Sequence, residues 1–267
     1  MSPDGNTWCV TDDKELPGGT ITPIVRVSNT VRRATRASSP CVHALLQHLE
    51  RVGFDGSPRF LGIDEQGREI LSFIEGDVTA LSSPSGMFSD DALVAAANLL
   101  RHFHDSTAAF VAGHLDGWQF QVGAPIVGDV VCHNDLGPYN TIYRDGAPIA
   151  FVDWDFAAPA PREWDIAYAL WRFVPLYDNA QCERLGWSTD PRGPRIRKFL
   201  DAYGLEKHCD ILDVVAHRQD VMRITIETWS REGDPAFVNL VKEGRVEEIT
   251  DNMEYLKRSA NEWKAFL

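Results

Sequence analysis

No run of apolar residues approaches the roughly 18 that a membrane-spanning helix needs, which excludes a helical membrane anchor as an expectation from this sequence. Positive charge is also scarce: 26 Lys and Arg stand against 39 Asp and Glu, a formal net charge of -13. Such a surface repels nucleic-acid backbones and anionic membranes while tolerating a cationic ligand. The five cysteines, Cys9, Cys41, Cys132, Cys182 and Cys209, are scattered and contain no CxxC, so neither a disulfide framework nor a zinc knuckle is expected. There is no internal repeat, no low-complexity tract and no feature that indicates a protein partner. The opening MSPDGNTWCVTDDKE carries acids where a signal peptide carries a basic and then an apolar stretch, and this predicts a cytoplasmic protein. What is present is an ordinary globular composition, 44% hydrophobic and 24% charged over 267 residues. That length suits one large domain or two unequal lobes.

The first part of the chain is rich in β-type runs. ITPIVRVSNTVRR, from Ile21, reads as two strands around a Ser28-Asn29 turn, preceded by Pro17-Gly18-Gly19. Ser39-Pro40 predicts the start of a helix through CVHALLQHLERV that Gly53 ends. RFLGID and EILSFIEG then predict two more strands. Residues 1–74 therefore form an expected small lobe, 75–89 a Gly-, Ser- and Pro-rich linker, and 90–267 a larger lobe of mainly helical pattern. Helices are predicted from Asp90 towards Ser106, over Glu163–Phe173, Pro194–Tyr203 and Ile211–Arg231, and through Val246–Phe266.

Within the larger lobe, VVCHNDLGPYNTIY breaks an apolar approach with His133, Asn134 and Asp135 and resumes after Asn140. Two β-type runs, Asn140–Tyr143 and Ile149–Val152, bracket an Asp145-Gly146 turn. An antiparallel hairpin there sets Asn140 opposite Asp153 at its open end. An amide oxygen and a carboxylate are hard ligands suited to magnesium, which keeps its remaining positions for waters and phosphates. Asp135, five residues ahead of Asn140, lies in the loop leading to that end and is placed to accept a hydroxyl proton.

HNDLGPYN, IAFVDWDFA and WDIAYAL together resemble the aminoglycoside phosphotransferases and related small-molecule kinases. The resemblance extends more loosely over nearly the whole chain, LLRHFHDST included. It implies an α+β, bilobal protein-kinase-like fold and transfer of the γ-phosphoryl of ATP or GTP to a hydroxyl of a small molecule. By the same resemblance Asp135 matches the catalytic base, and Asn140 and Asp153 match the Mg2+ ligands. His133 matches the histidine that braces the loop, and Asp165 the buried acid that holds the loop backbone. Asp155 is left with three roles: a second metal, a cationic substrate or local hydrogen bonding.

The nucleotide clamp departs from the family pattern. Gly18 and Gly19 are the candidates for the turn over the phosphates, and no lysine lies on the third strand. Alternation along TVRR puts Val31 and Arg33 on one face, and there the resembled family's Ala-x-Lys pattern implies Val31 over the adenine and Arg33 in the lysine's place. The following helix offers Val42 or His43 where a pairing Glu is expected, so the usual Lys-Glu ion pair is expected to be absent. Ser72 and Ile74 match the backbone contacts to the adenine edge. For the acceptor, an aminoglycoside-like antibiotic leads, with choline, homoserine, sugar and macrolide acceptors on the same core. Acids of the C-terminal part, Glu227 and Glu232 with Asp155, are the candidate acceptor contacts, although several acids there read equally as a solvated helix face. A catalytically silent nucleotide-binding protein is the alternative function. A metallohydrolase built on His102, His104, His133 and Asp135 is the poorest reading, since His102 and His104 diverge on a helix.

Overall fold

The computed structural model describes residues 14–16, 24–78, 85–111, 117–206 and 210–267. Gly18 and Gly19 lie outside them. In chain order the small lobe holds β1 (Lys14–Leu16), β2 (Ile24–Val27), β3 (Thr30–Ala34), α1 (Ser39–Arg51), β4 (Phe60–Ile63) and β5 (Arg68–Ser72). The five strands form one antiparallel sheet in the order β1-β2-β3-β5-β4. Ser28 turns the β2–β3 hairpin at φ 55, a left-handed conformation held in a two-residue loop. Helix α1 begins one residue earlier than its Ser-Pro signal suggests: Ser38 is the cap, while Ser39 Oγ accepts from Arg36 N at 2.8 Å.

The linker contains a short strand that its composition does not reveal. β6 (Asp77–Val78) pairs with the hairpin of the larger lobe, giving a sheet ordered β6-β8-β9. Then follow α2 (Asp90–Val111), β7 (Val130–Cys132), β8 (Thr141–Arg144), β9 (Ala147–Phe151) and β10 (Ala158–Ala160), with β7 and β10 paired antiparallel. The helices that complete the lobe are α3 (Arg162–Phe173), α4 (Asn179–Leu185), α5 (Arg192–Tyr203), α6 (Ile211–Arg231), α7 (Pro235–Lys242) and α8 (Arg245–Lys264). Sequence periodicity misses α4 and α7, which are only 7 and 8 residues long and are each started by an Asp cap, Asp178 and Asp234.

A continuous core runs from Leu45 and Leu49 of α1 through Leu100 and Phe103 of α2 to Ile166 and Leu170 of α3 and Phe199 of α5, all with no exposure. Helix α3 is buried on nearly all sides, so its polar residues have to be paired inside the protein.

Candidate active site

The site is assembled at the mouth of the β8–β9 hairpin. The Asp145-Gly146 turn closes that hairpin with φ of 52 and 79, and a register shift between Ile142 and Tyr143 bends it. Val152 N donates to Asn140 O at 2.9 Å, which leaves Asp153 as the first residue past the pairing. Asn134 and Asp153 both adopt left-handed conformations, φ 65 and φ 64. Asn and Asp bear that geometry better than other side chains do, and here it turns both segments sharply towards each other.

The turn is over-determined by hydrogen bonds. Asp165, buried on α3, accepts from His133 N at 2.7 Å and Asn134 N at 3.0 Å, and His104 Nε2 lies 3.2 Å from the same carboxylate. Burial alone would raise its pKa, but the bond and charge of His104 and the backbone donor of His133 outweigh that and hold the carboxyl below its ordinary range. His133 Nε2 lies 3.0 Å from Val152 O, and Asn134 Nδ2 donates to Phe156 O at 2.9 Å, so the loop is stitched to the segment carrying Asp153. Arg218 on α6, completely buried, donates to Asn134 O and lies over the ring of Tyr168, 4.5 Å from its centroid. Nothing in the local sequence marks Arg218, because its target lies 84 residues away.

At the centre is Asp135. Asn140 Nδ2 donates to its carbonyl at 2.9 Å and to its Oδ2 at 3.0 Å. With its nitrogen so engaged, the Asn140 amide oxygen is the atom left for a cation. Asp135 Oδ1 accepts from two phenols, Tyr139 at 2.9 Å and Tyr168 at 2.6 Å, and the two hydroxyls are 2.8 Å apart. Burial pushes Tyr168 up to about 12 and raises Tyr139 as well, which keeps both phenols protonated as donors. Asp165, Tyr168 and Arg172 recur at three and four residues along α3, so one helix face serves the whole loop.

Arg33 lies on β3, the strand on which the sequence placed the clamp cation. It does have an acidic partner, supplied by the neighbouring strand instead of the helix. Arg33 on β3 pairs in register with Glu69 on β5, and Nε donates to that buried carboxylate. His43, where α1 was expected to lack its Glu, reaches the same acid with Nε2 2.6 Å from Glu69 Oε2 and stacks on Phe60 at 3.8 Å. The rest of the guanidinium crosses to the other lobe: Nη1 donates to Asp153 at 3.0 Å and Nη2 to Asp155 at 2.6 Å. Burial opposes the charge on Arg33, yet Asp155, Asp153 and Glu69 together raise its pKa. Burial raises the Asp155 carboxyl, against the pull of Arg33 and of Arg36, whose Nε lies 3.0 Å away. The Asp153 side chain remains 45% exposed and open to a further ligand. Val31 pairs with Leu71 on the face shared with Arg33, and Ser72 ends β5, where Phe73 N donates to Asn29 O at 3.1 Å just ahead of Ile74.

Of the suggested acceptor acids, Asp155 lies at the site, on the same guanidinium as Asp153, while Glu227 and Glu232 are carried by α6 and its end. Asp155 is engaged by Arg33 and Arg36, Glu227 accepts from Arg223 at 2.9 Å, and Glu232 is exposed at the end of α6. Trp229 stacks on Phe156 at 6.0 Å as part of the core margin. Buried His104, Cys132 and Asp165 lie close enough to suggest a metal cluster, but His104 also meets Tyr203, Cys132 donates to Pro161 O and Asp165 takes the loop amides. Their ligand atoms are spent on the fold.

A small antiparallel sheet lobe, a mainly helical lobe and this loop-hairpin pair between them define a protein-kinase-like small-molecule kinase. The model of the phosphotransferase enzyme family matches residues 125–200, the stretch that carries the loop, the hairpin and α3. A trifolitoxin immunity protein of Rhizobium leguminosarum bv. trifolii is 36% identical over 202 residues, 73% of this chain and 76% of that protein. A choline kinase from Cryptosporidium parvum superposes with a TM-score of 0.58 at 13% identity, covering 97% of this chain and 93% of that one. An aminoglycoside phosphotransferase from Streptomyces rimosus gives 0.52 at 16%, covering 79% and 92%. The chain belongs to this phosphotransferase enzyme family and is a small-molecule phosphotransferase.

Proposed function

We propose that the protein transfers the γ-phosphoryl group of ATP or GTP to a hydroxyl of an antibiotic-type small molecule, with Asp135 as the base and Mg2+ held by Asn140 and Asp153. The observation that carries this reading is the hydrogen-bonded union of Asp135 and Asn140 beside the half-exposed Asp153. A divalent ion bound by the Asn140 oxygen and the Asp153 carboxylate would neutralise charge on the transferred group. Asp135 takes the acceptor's proton, His133 and Asp165 keep its loop in place, and Arg33 brings a fixed cation to the phosphate side. Protection against a toxin is the setting suggested by the relationship to an immunity protein, and the same core serves aminoglycoside, macrolide, choline, homoserine or sugar hydroxyls.

The test is Mg2+-dependent turnover of ATP and GTP across a panel of such acceptors, with Asp135→Asn as the control. General-base catalysis contributes about 10²–10⁴-fold, so that variant should lose transfer by this factor. A second reading, a silent nucleotide-binding protein, draws on Arg33 lying against Asp153; nucleotide binding without turnover in the wild type would favour it.

A further inference from the structure

The proposed base already holds a hydroxyl. Asp135 Oδ2 is taken by Asn140, so Oδ1 is the oxygen left for an acceptor, and Tyr139 Oη lies on it at 2.9 Å, within the 2.6–3.2 Å that general-base transfer requires. Tyr168 shares that oxygen but is 1% exposed and sealed in α3. Tyr139 is half-buried in the turn Pro138–Asn140, directly beside the proposed metal ligand. Gly137 makes room for it: a Cβ there would sit 2.6 Å from the Tyr139 ring.

A buried guanidinium lies near that phenol. Arg172 lies with its guanidinium carbon 5.9 Å from the Tyr139 ring centroid, 3.8 Å from that of Trp171 and 5.1 Å from that of Tyr168. Among the described residues its hydrogen bonds go to the hydroxyls of Tyr177 and Tyr168, and its buried Nε has no partner. Among the described residues no carboxylate comes within ion-pair distance of it. An uncompensated guanidinium beside a phenol on a base is suited to hold the dianion that phosphorylation of that phenol would create.

We propose that Tyr139 is an internal phosphoryl acceptor, modified in cis by a nucleoside triphosphate when no external acceptor is bound; this rests on the phosphotransferase reading above. The Tyr139 oxygen forms the new bond to the γ-phosphorus as the bond from that phosphorus to the β-bridging oxygen breaks. The nucleoside diphosphate leaves with that electron pair, and the phenolic proton passes to Asp135 Oδ1. The product phosphate pairs with Arg172 and occupies the acceptor's place at Asp135, so the modification switches off transfer to other hydroxyls.

The experiment uses the full-length protein, treated with phosphatase, freed of it and incubated with Mg-ATP or Mg-GTP without acceptor. Intact mass and tandem mass spectrometry should show one added phosphoryl group, located on Tyr139 in the wild type itself and therefore independent of how any variant folds. Tyr139→Phe and Asp135→Asn, checked for native melting, should show none. Nucleotide turnover or acceptor phosphorylation with no mass gain, or a gain located elsewhere, overturns the inference and leaves the phosphotransferase reading standing. Absence of both turnover and mass gain overturns the two together.

Discussion

Replacing Arg33 by Met should destabilise the protein mainly through Glu69. The Arg33 side chain is 8% exposed and meets three carboxylates, but these differ in what they lose. Asp153, 45% exposed, returns to water, and Asp155 keeps Arg36 at 3.0 Å. Among the described residues Glu69, 1% exposed, keeps His43 alone. Removing one partner of a buried ion pair costs about 3–5 kcal/mol, and the surviving His43 contact puts this case near the lower end, about 3 kcal/mol. At roughly 2–4 °C per kcal/mol for a chain of this size, Tm should fall by about 6–12 °C. Circular-dichroism melting measures the shift, and Arg33→Met/Glu69→Gln should recover at least half of it because the stranded charge is gone. A single variant melting within about 2 °C of wild type, or a double variant no better than the single, refutes the assignment of Glu69 as the partner that replaces the helix acid.

Nucleotide affinity should also fall in Arg33→Ala, read by calorimetric titration; unchanged affinity rules out contact between Arg33 and the phosphates. Asp165→Asn should cost about 3 kcal/mol, since it replaces a charged acceptor of two loop amides with a group that also donates. The depressed Asp165 pKa gives stability that is complete above the unfolded value of about 3.9 and is lost as pH falls through the folded one, so the variant's acid unfolding should be shallower; parallel acid titrations decide. At the alkaline end, burial pushes Tyr168 and Tyr203 up to about 12, so their contribution is complete below the unfolded value of about 10 and is lost between those limits. Tyrosinate absorbance should then rise together with loss of ellipticity, and independent titration of the two would contradict the burial argument. Arg218→Met removes a buried cation that has no carboxylate partner among the described residues, so stability should change by less than about 1 kcal/mol while kcat falls as the Asn134 turn slackens; a loss above about 3 kcal/mol would contradict it.

Sequence alone determined what local chemistry can encode. The Asp-Gly turn fixes the hairpin and helical periodicity fixes α2, α3 and α6. The spacing of Asp135, Asn140 and Asp153 is short enough for one loop and one hairpin to bring them together. Short or composition-poor elements escaped, as β6, α4 and α7 did, because too few residues repeat for a period to emerge. Tertiary structure alone decided the partners across distance. Glu69 stands beside Arg33 through strand register, 36 residues away, and Tyr168 reaches Asp135 from 33 residues away on a buried helix. Those pairings depend on which surfaces pack, since a buried charge or hydroxyl takes whichever partner the assembled core puts within hydrogen-bond reach.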